Sequence, residues 1–107
     1  MSSDRITQLK SFLKDDPNDA FLLFALAREL TKAERTNEAL ECYYSLRSIH
    51  SDYVGLYYHL GQLEEALDKA DLARQTYLAG IEIAQAAGDM HARGELEGVL
   101  ELLVGRH

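Results

Sequence analysis

The side chains best equipped for chemistry in this sequence are one thiol, four imidazoles and a pair of adjacent carboxylates. Cys42 would serve as a nucleophile or a soft metal ligand, but its sequence neighbours offer no cation to lower its pKa, so an inert buried thiol is expected. His50, His59, His91 and His107 contain no H-x-x-x-H pair, and none stands at a zinc-site spacing from Cys42. Glu64 and Glu65 beside His59 suggest paired acids. Consecutive helical residues, however, point about 100° apart, and a solvated charged face accounts for them more simply. Gly55, Gly61, Gly80, Gly88, Gly94, Gly98 and Gly105 are scattered, with no phosphate-cradling loop, nucleophile elbow or dinucleotide fingerprint. The sequence therefore offers no catalytic constellation, no metal site and no cofactor site, and a non-enzymatic role is expected.

The bulk properties point the same way. With 107 residues, 47% hydrophobic, the chain has material for one continuous core, and one domain spanning 1–107 is expected. A single proline and 27% charged residues suit a helix-rich protein better than a disordered or β-rich one. The formal net charge of −7 repels polyphosphate and anionic lipid, so neither nucleic acid nor membrane is an expected partner. A lone cysteine excludes an internal disulfide and suits a reducing compartment. Residues 1–14 lack a signal-peptide apolar block, and the charge-free stretch Ala20 to Ala27 is far below the roughly 20 residues of a spanning helix. The expected location is cytoplasmic.

The elements that would position these residues follow from apolar spacing. Ile6, Leu9, Phe12 and Leu13 recur at helical intervals, predicting a first helix over about Asp4 to Lys14, and Asp15-Asp16-Pro17-Asn18-Asp19 ends it and caps the next. Leu22, Leu23, Leu26, Ala27 and Leu30 predict a second helix. After a turn at Lys32 to Thr36, with Thr36 or Asn37 as cap, Ala39, Leu40, Tyr43, Leu46 and Ile49 predict a third. Beyond His50-Ser51-Asp52, a fourth helix carries Leu56, Tyr57, Leu60, Leu63 and Leu67. Asp68-Lys69 turns the chain into a fifth, with Ala73, Tyr77, Ile81 and Ala84. Gly88 suits a left-handed cap after Ala87, and Asp89 opens a short amphipathic last helix with Leu96, Val99, Leu100 and Leu103 on one side. Gly94 and Gly98 lower helix propensity there. Close approach of another backbone and fraying of a terminal helix both account for them.

Two of the predicted helix pairs repeat each other at an interval of thirty-four residues. Leu22-Leu23, Leu26-Ala27, Ala39, Tyr43 and Ile49 return as Leu56-Tyr57, Leu60-Gly61, Ala73, Tyr77 and Ile83. This pattern resembles the tetratricopeptide repeat, whose antiparallel helices use a Leu-Gly or Leu-Ala pair, an alanine twelve residues later and then an aromatic. The resemblance implies an all-α solenoid of antiparallel hairpins, a right-handed superhelix of about six helices. It divides as half a repeat over 1–17, repeats over 18–52 and 53–87, and a C-terminal capping helix over 88–107. Leu26, Ala27, Ala39 and Tyr43 in one repeat, and Leu60, Gly61, Ala73 and Tyr77 in the other, are its expected packing positions. Ala27 would face Ala39, and Gly61 would face Ala73, where the helices cross closely. The pattern is imperfect: Leu30 and Glu64 stand where tyrosine is frequent, Gly80 replaces an alanine, and Ser51 and Gln85 do not repeat Pro17.

The resemblance further implies a protein-binding module in which the first helix of each pair lines a concave face. That geometry would set Phe21, Phe24, Arg28 and Lys32 beside Tyr58, His59, Gln62 and Glu65, with Arg93 completing the row. Aromatic rings beside long cations suit a short protein segment with apolar and acidic side chains. The plainer alternative packs Phe21 and Phe24 on the first helix and pairs Lys32 with Glu65. Some family members grip a chaperone's C-terminal carboxylate with lysines and asparagines. Here Phe24, Arg28, His59 and Asp89 occupy those places and only Arg93 agrees, so that role is disfavoured. Val99, Leu102, Leu103 and Val104 also suggest a homodimer through the last helix, or the apolar tail of a monomer.

Overall fold

The computed structural model describes residues 2–106, apart from the side chains of Ser2 and Ser3; Met1 and His107, and with it the reading of His107, lie outside the described residues. Among the described residues there are six helices and no strand: α1 (Ser2–Asp15), α2 (Ala20–Lys32), α3 (Thr36–Ile49), α4 (Gly55–Ala66), α5 (Ala70–Ala87) and α6 (Met90–Arg106). They form two compact units, one through Ser51 and the other from Asp52.

In the first unit α2 packs on both α1 and α3. Its core draws Ile6 and Leu9 from α1, Leu23, Leu26, Ala27 and Leu30 from α2, and Ala39, Leu40, Cys42, Tyr43 and Leu46 from α3. Phe12, expected on the apolar stripe of α1, is about half exposed, because α1 has one packing neighbour and Ile6 and Leu9 face it. Asp19 caps α2 as its position suggests, its carboxylate accepting the Leu22 N–H at 2.8 Å.

In the second unit α5 packs on α4 and α6. Leu56, Tyr57, Leu60 and Leu63 of α4 meet Ala73, Tyr77 and Ala84 of α5, and Leu96 and Leu103 of α6 close the core. A Cβ on Gly61 would overlap the Tyr77 ring, and one on Gly80 would lie 2.5 Å from Tyr57 Cβ. Both glycines are therefore contact points between helices.

The two hairpin turns are built alike. Glu34 and Asp68 take the left-handed conformation at φ 60° and 61°. Arg35 N–H then donates to Leu30 O at 3.0 Å, and Lys69 N–H donates to Glu64 O at 2.8 Å. This is the six-to-one bond that satisfies carbonyls at a helix end. It also alters the expected start of α3. The residue before the helix is Arg35, which makes no side-chain cap bond, so neither Thr36 nor Asn37 is the cap. The Arg35 guanidinium instead grips Glu38 through two 2.8 Å bonds and lowers its carboxyl pKa. Gly88 adopts φ 72° after α5, and the Asp89 carboxylate accepts Ala92 N–H at 3.0 Å to open α6.

Helix α6 departs from expectation. It is 17 residues long rather than short, and its buried side chains are Leu96 and Leu103. Nothing lies within 4 Å of a Cβ built on Gly94 or Gly98, so close backbone approach does not explain those glycines.

Candidate functional site

The predicted binding row divides between the two units. On α2, Phe21 is 60% exposed. Phe24 is half-buried, with its ring edge-on to Tyr43 at 6.5 Å between centroids, and the exposed Arg28 guanidinium lies 5.9 Å from the Phe24 centroid. Ring and cation are one helical turn apart, the spacing that brings them together on one face. Lys32 pairs within its own helix with Glu29 at 3.0 Å.

In the second unit, Tyr58 and His59 of α4 set their rings edge-to-face at 5.4 Å. With Val54, Ala92, Glu95 and Leu96 they line a cleft of about 240 Å³ between α4 and α6. Gln62 points elsewhere. Its amide donates to Tyr77 Oη at 2.6 Å, and that hydroxyl donates to Glu65 Oε2 at 2.5 Å. Glu65 is held in turn by Arg106 Nη2 at 2.7 Å. Burial, reinforced by the Glu65 carboxylate, pushes the Tyr77 phenol pKa up. Arg93 lies 3.5 Å from Glu97 and does not line the cleft.

The carboxylate pair is not a solvated face as a whole. Glu64 is 1% exposed and accepts the Thr76 hydroxyl at 2.6 Å, because α4 turns this position inward against α5. An inward carboxylate with a hydroxyl partner is a structural pairing. Cys42 is likewise inward. Its thiol donates to Leu23 O at 3.2 Å, and burial raises its pKa to about 11, the opposite of nucleophile activation.

The packing positions lie inside each hairpin: Leu26, Ala27, Ala39 and Tyr43 are buried in the first unit, and Leu60, Gly61, Ala73 and Tyr77 in the second. Residue-by-residue reading missed Glu95 and Val54 as cleft residues. The available signal was Leu96, an expected core residue of α6: Ala92 lies four residues before it, on the same helical face, and Glu95 is its immediate neighbour. Among the described residues no cluster of three or more His, Cys, Asp or Glu side chains could hold a metal ion, and no helix is long and apolar enough to cross a membrane.

No protein-family model matches this sequence, and no curated protein matches it. Solved structures do. A tetratricopeptide repeat domain protein from Salinibacter ruber, determined by solution NMR, is 40% identical over 86% of this chain and 93% of that one, with a TM-score of 0.82. Its crystal structure gives 39% identity over 83% of this chain and all of that one, with a TM-score of 0.80. PcrH, solved in complex with the chaperone binding region of PopD, superimposes with a TM-score of 0.90 over 98% of this chain and 80% of its own, at 16% identity. That last likeness concerns the fold alone.

Proposed function

This chain belongs to the tetratricopeptide repeat family, and on that footing we propose that it is a protein-interaction module that holds a segment of another protein on the exposed face of α2. Stacked helical hairpins present side-chain ridges on a rigid frame and work without catalytic groups. The observation that carries the reading is the α2 face, where Phe21 projects into solvent and Arg28 stands over the Phe24 ring. A large exposed ring beside a long cation suits a segment with an apolar and an acidic side chain, the ring supplying area and the guanidinium a charge-assisted hydrogen bond. PcrH, with the same fold, was crystallised with a region of its partner PopD, which supports a protein segment as the class of ligand.

The test is an array of short peptides of varied charge and apolar content, read by fluorescence anisotropy against the full chain. Peptides pairing an aromatic or leucine with a nearby carboxylate should bind, and Arg28→Glu should reverse the charge preference while helicity by circular dichroism is retained. An array in which neither composition nor Arg28→Glu alters binding would reject the α2 face.

A second reading, self-association, is favoured by Leu102 and Val104, 65% and 55% exposed on α6. Leu103, grouped with them by sequence, is instead core, and Val99 is half-buried. Light scattering across a concentration series tests this reading, and a constant monomer mass counts against it.

A further inference from the structure

The charge of the chain is unevenly distributed. Through Ser51 there are seven lysines and arginines against eight aspartates and glutamates, whereas from Asp52 onward there are four against ten. In the second unit, two of the four cations are already engaged, Arg93 by Glu97 and Arg106 by Glu65. The cleft between α4 and α6 opens within this acidic unit, and a carboxylate, that of Glu95, stands in its wall.

We propose that this cleft seats a cationic side chain, arginine in preference to lysine, of a protein segment bound to the second unit. The proposal rests on the reading of the chain as a segment-binding module, and it gives the second unit a charge preference opposite to that of the α2 face. Val54, Ala92 and Leu96 supply apolar wall for an aliphatic stem. The Tyr58 ring offers a face on which a planar guanidinium can stack, and Glu95 offers two acceptor oxygens for its fork of donors. Glu95 is available for that contact. Its ion pair is with the His91 imidazole at 3.8 Å, a long contact between largely exposed groups that exists only while His91 is protonated. An entering guanidinium would replace a distant partner with a closer one. The surplus of carboxylates in the unit attracts the same cation over longer range and repels an acidic side chain.

The experiment uses the full chain, labelled with nitrogen-15, and three acetylated and amidated pentapeptides, Gly-Leu-X-Leu-Gly with X as arginine, norleucine or glutamate. Chemical-shift titration at low salt should place the arginine peptide on the amides of Gly55, Tyr58, Ala92 and Glu95. The arginine peptide should bind about fivefold more tightly than the norleucine one, and the glutamate peptide more weakly than both. Glu95→Gln, a surface change that preserves the spectrum, should bring arginine and norleucine to within about twofold, and added salt should do so in the unmodified chain. Equal binding of arginine and norleucine, shifts that avoid α4 and α6, or an arginine advantage that survives Glu95→Gln would each overturn the proposal. Acidic peptides shifting α2 amides beside an inert α4–α6 cleft would reject this inference and leave segment binding intact. Failure of every peptide of either charge to bind would reject both.

Discussion

The hairpins α2–α3 and α4–α5 share a thirty-four-residue register, an inner tyrosine and the same left-handed turn, but they fill their interiors with different chemistry. Where the first has buried Leu30 and Cys42, the second has Glu64 and Thr76, hydrogen-bonded to each other at 2.6 Å. Where the first has the buried Leu46, the second has Gly80, against which Tyr57 and Leu96 pack. The inner tyrosines differ in their partners, although the Tyr43 hydroxyl also has a hydrogen bond, with Thr31. Tyr43 stands edge-on to Phe24, while Tyr77 is bonded to Gln62 and Glu65, and Glu65 to Arg106 of α6. The comparison shows that the repeat prescribes which positions turn inward, and leaves polarity and, at Leu46 and Gly80, even side-chain volume open, provided that inward polar groups find partners.

The most severe way to break the comparison is to force the interior of one hairpin on the other. Gly80→Leu places in α5 the residue that α3 carries at the equivalent position. Its Cβ alone would lie 2.5 Å from Tyr57 Cβ and 3.0 Å from Leu96 Cδ1. Neither neighbour can retreat without leaving the core. We expect a loss of about 3 kcal/mol or more in urea unfolding, at the upper end of overpacking effects. A loss below about 1 kcal/mol would mean that α6 yields easily and that Gly80 is not a true contact point.

The next effect concerns the buried carboxylate. Thr76→Val removes a hydroxyl donor to Glu64 and should cost about 1–3 kcal/mol, the range for a hydrogen bond to a buried charged group. The same substitution made on a Glu64→Leu background should cost less by about 1–2 kcal/mol, because the acceptor of the hydroxyl's bond is no longer there. The two steps therefore form a double-mutant cycle by equilibrium denaturation. Additive losses would show that the 2.6 Å bond contributes nothing beyond the packing of its two side chains.

These differences set the limit of what the residues disclose in one dimension. Helix order, the turn before Ala70, the left-handed Gly88 and the Asp89 cap were legible because each depends on local backbone chemistry and on apolar spacing of 3.6 residues. Glu64 was not. A glutamate in an amphipathic pattern counts as surface, and its inward place shows only through a partner such as Thr76, twelve residues away. Phe21 was ambiguous for a related reason: an aromatic beside an apolar stripe is core or surface according to where the neighbouring helix stops. The α4–α6 cleft was out of reach, since it arises from how α6 seats against α4, and α6 has too weak an apolar stripe to fix its rotation from spacing alone.

Cys42 and Thr76 occupy equivalent places, and pH sharpens the contrast between them. Burial raises the Cys42 thiol from an ordinary value of 9.0 to about 11, so the folded chain keeps a proton that the unfolded chain releases in that interval. Its contribution is fully present below pH 9 and declines as pH rises towards 11, with a slope of at most about 1.4 kcal/mol per pH unit. The Tyr43 and Tyr77 phenols, both raised from 10.0 by burial, follow at higher pH, so the thiol's share of the slope is largest between pH 9 and 10. Cys42→Ser keeps a donor for Leu23 O and should flatten the pH dependence by the thiol's share, from pH 9 up to about 11. An unaltered slope would place the Cys42 thiol in solvent.

The smallest expected effect contrasts the glycines of the second unit among themselves. Gly61 and Gly80 are crowded, whereas a Cβ on Gly98 meets nothing within 4 Å. Gly98 lies in the interior of α6 in helical conformation, so an added methyl group introduces no strain there and restricts the unfolded chain. Gly98→Ala should therefore stabilise the protein by about 0.5–1 kcal/mol, while Gly61→Ala, driven into the Tyr77 ring, should destabilise it. Opposite signs for one chemical change follow if helix propensity governs the outer face of α6 and contact governs the middle of the α4–α5 pair. A Gly98→Ala variant that unfolds more readily than the parent would mean that another surface, in this chain or a second copy, comes close to α6 at that residue, and would shift the weight of interpretation towards self-association.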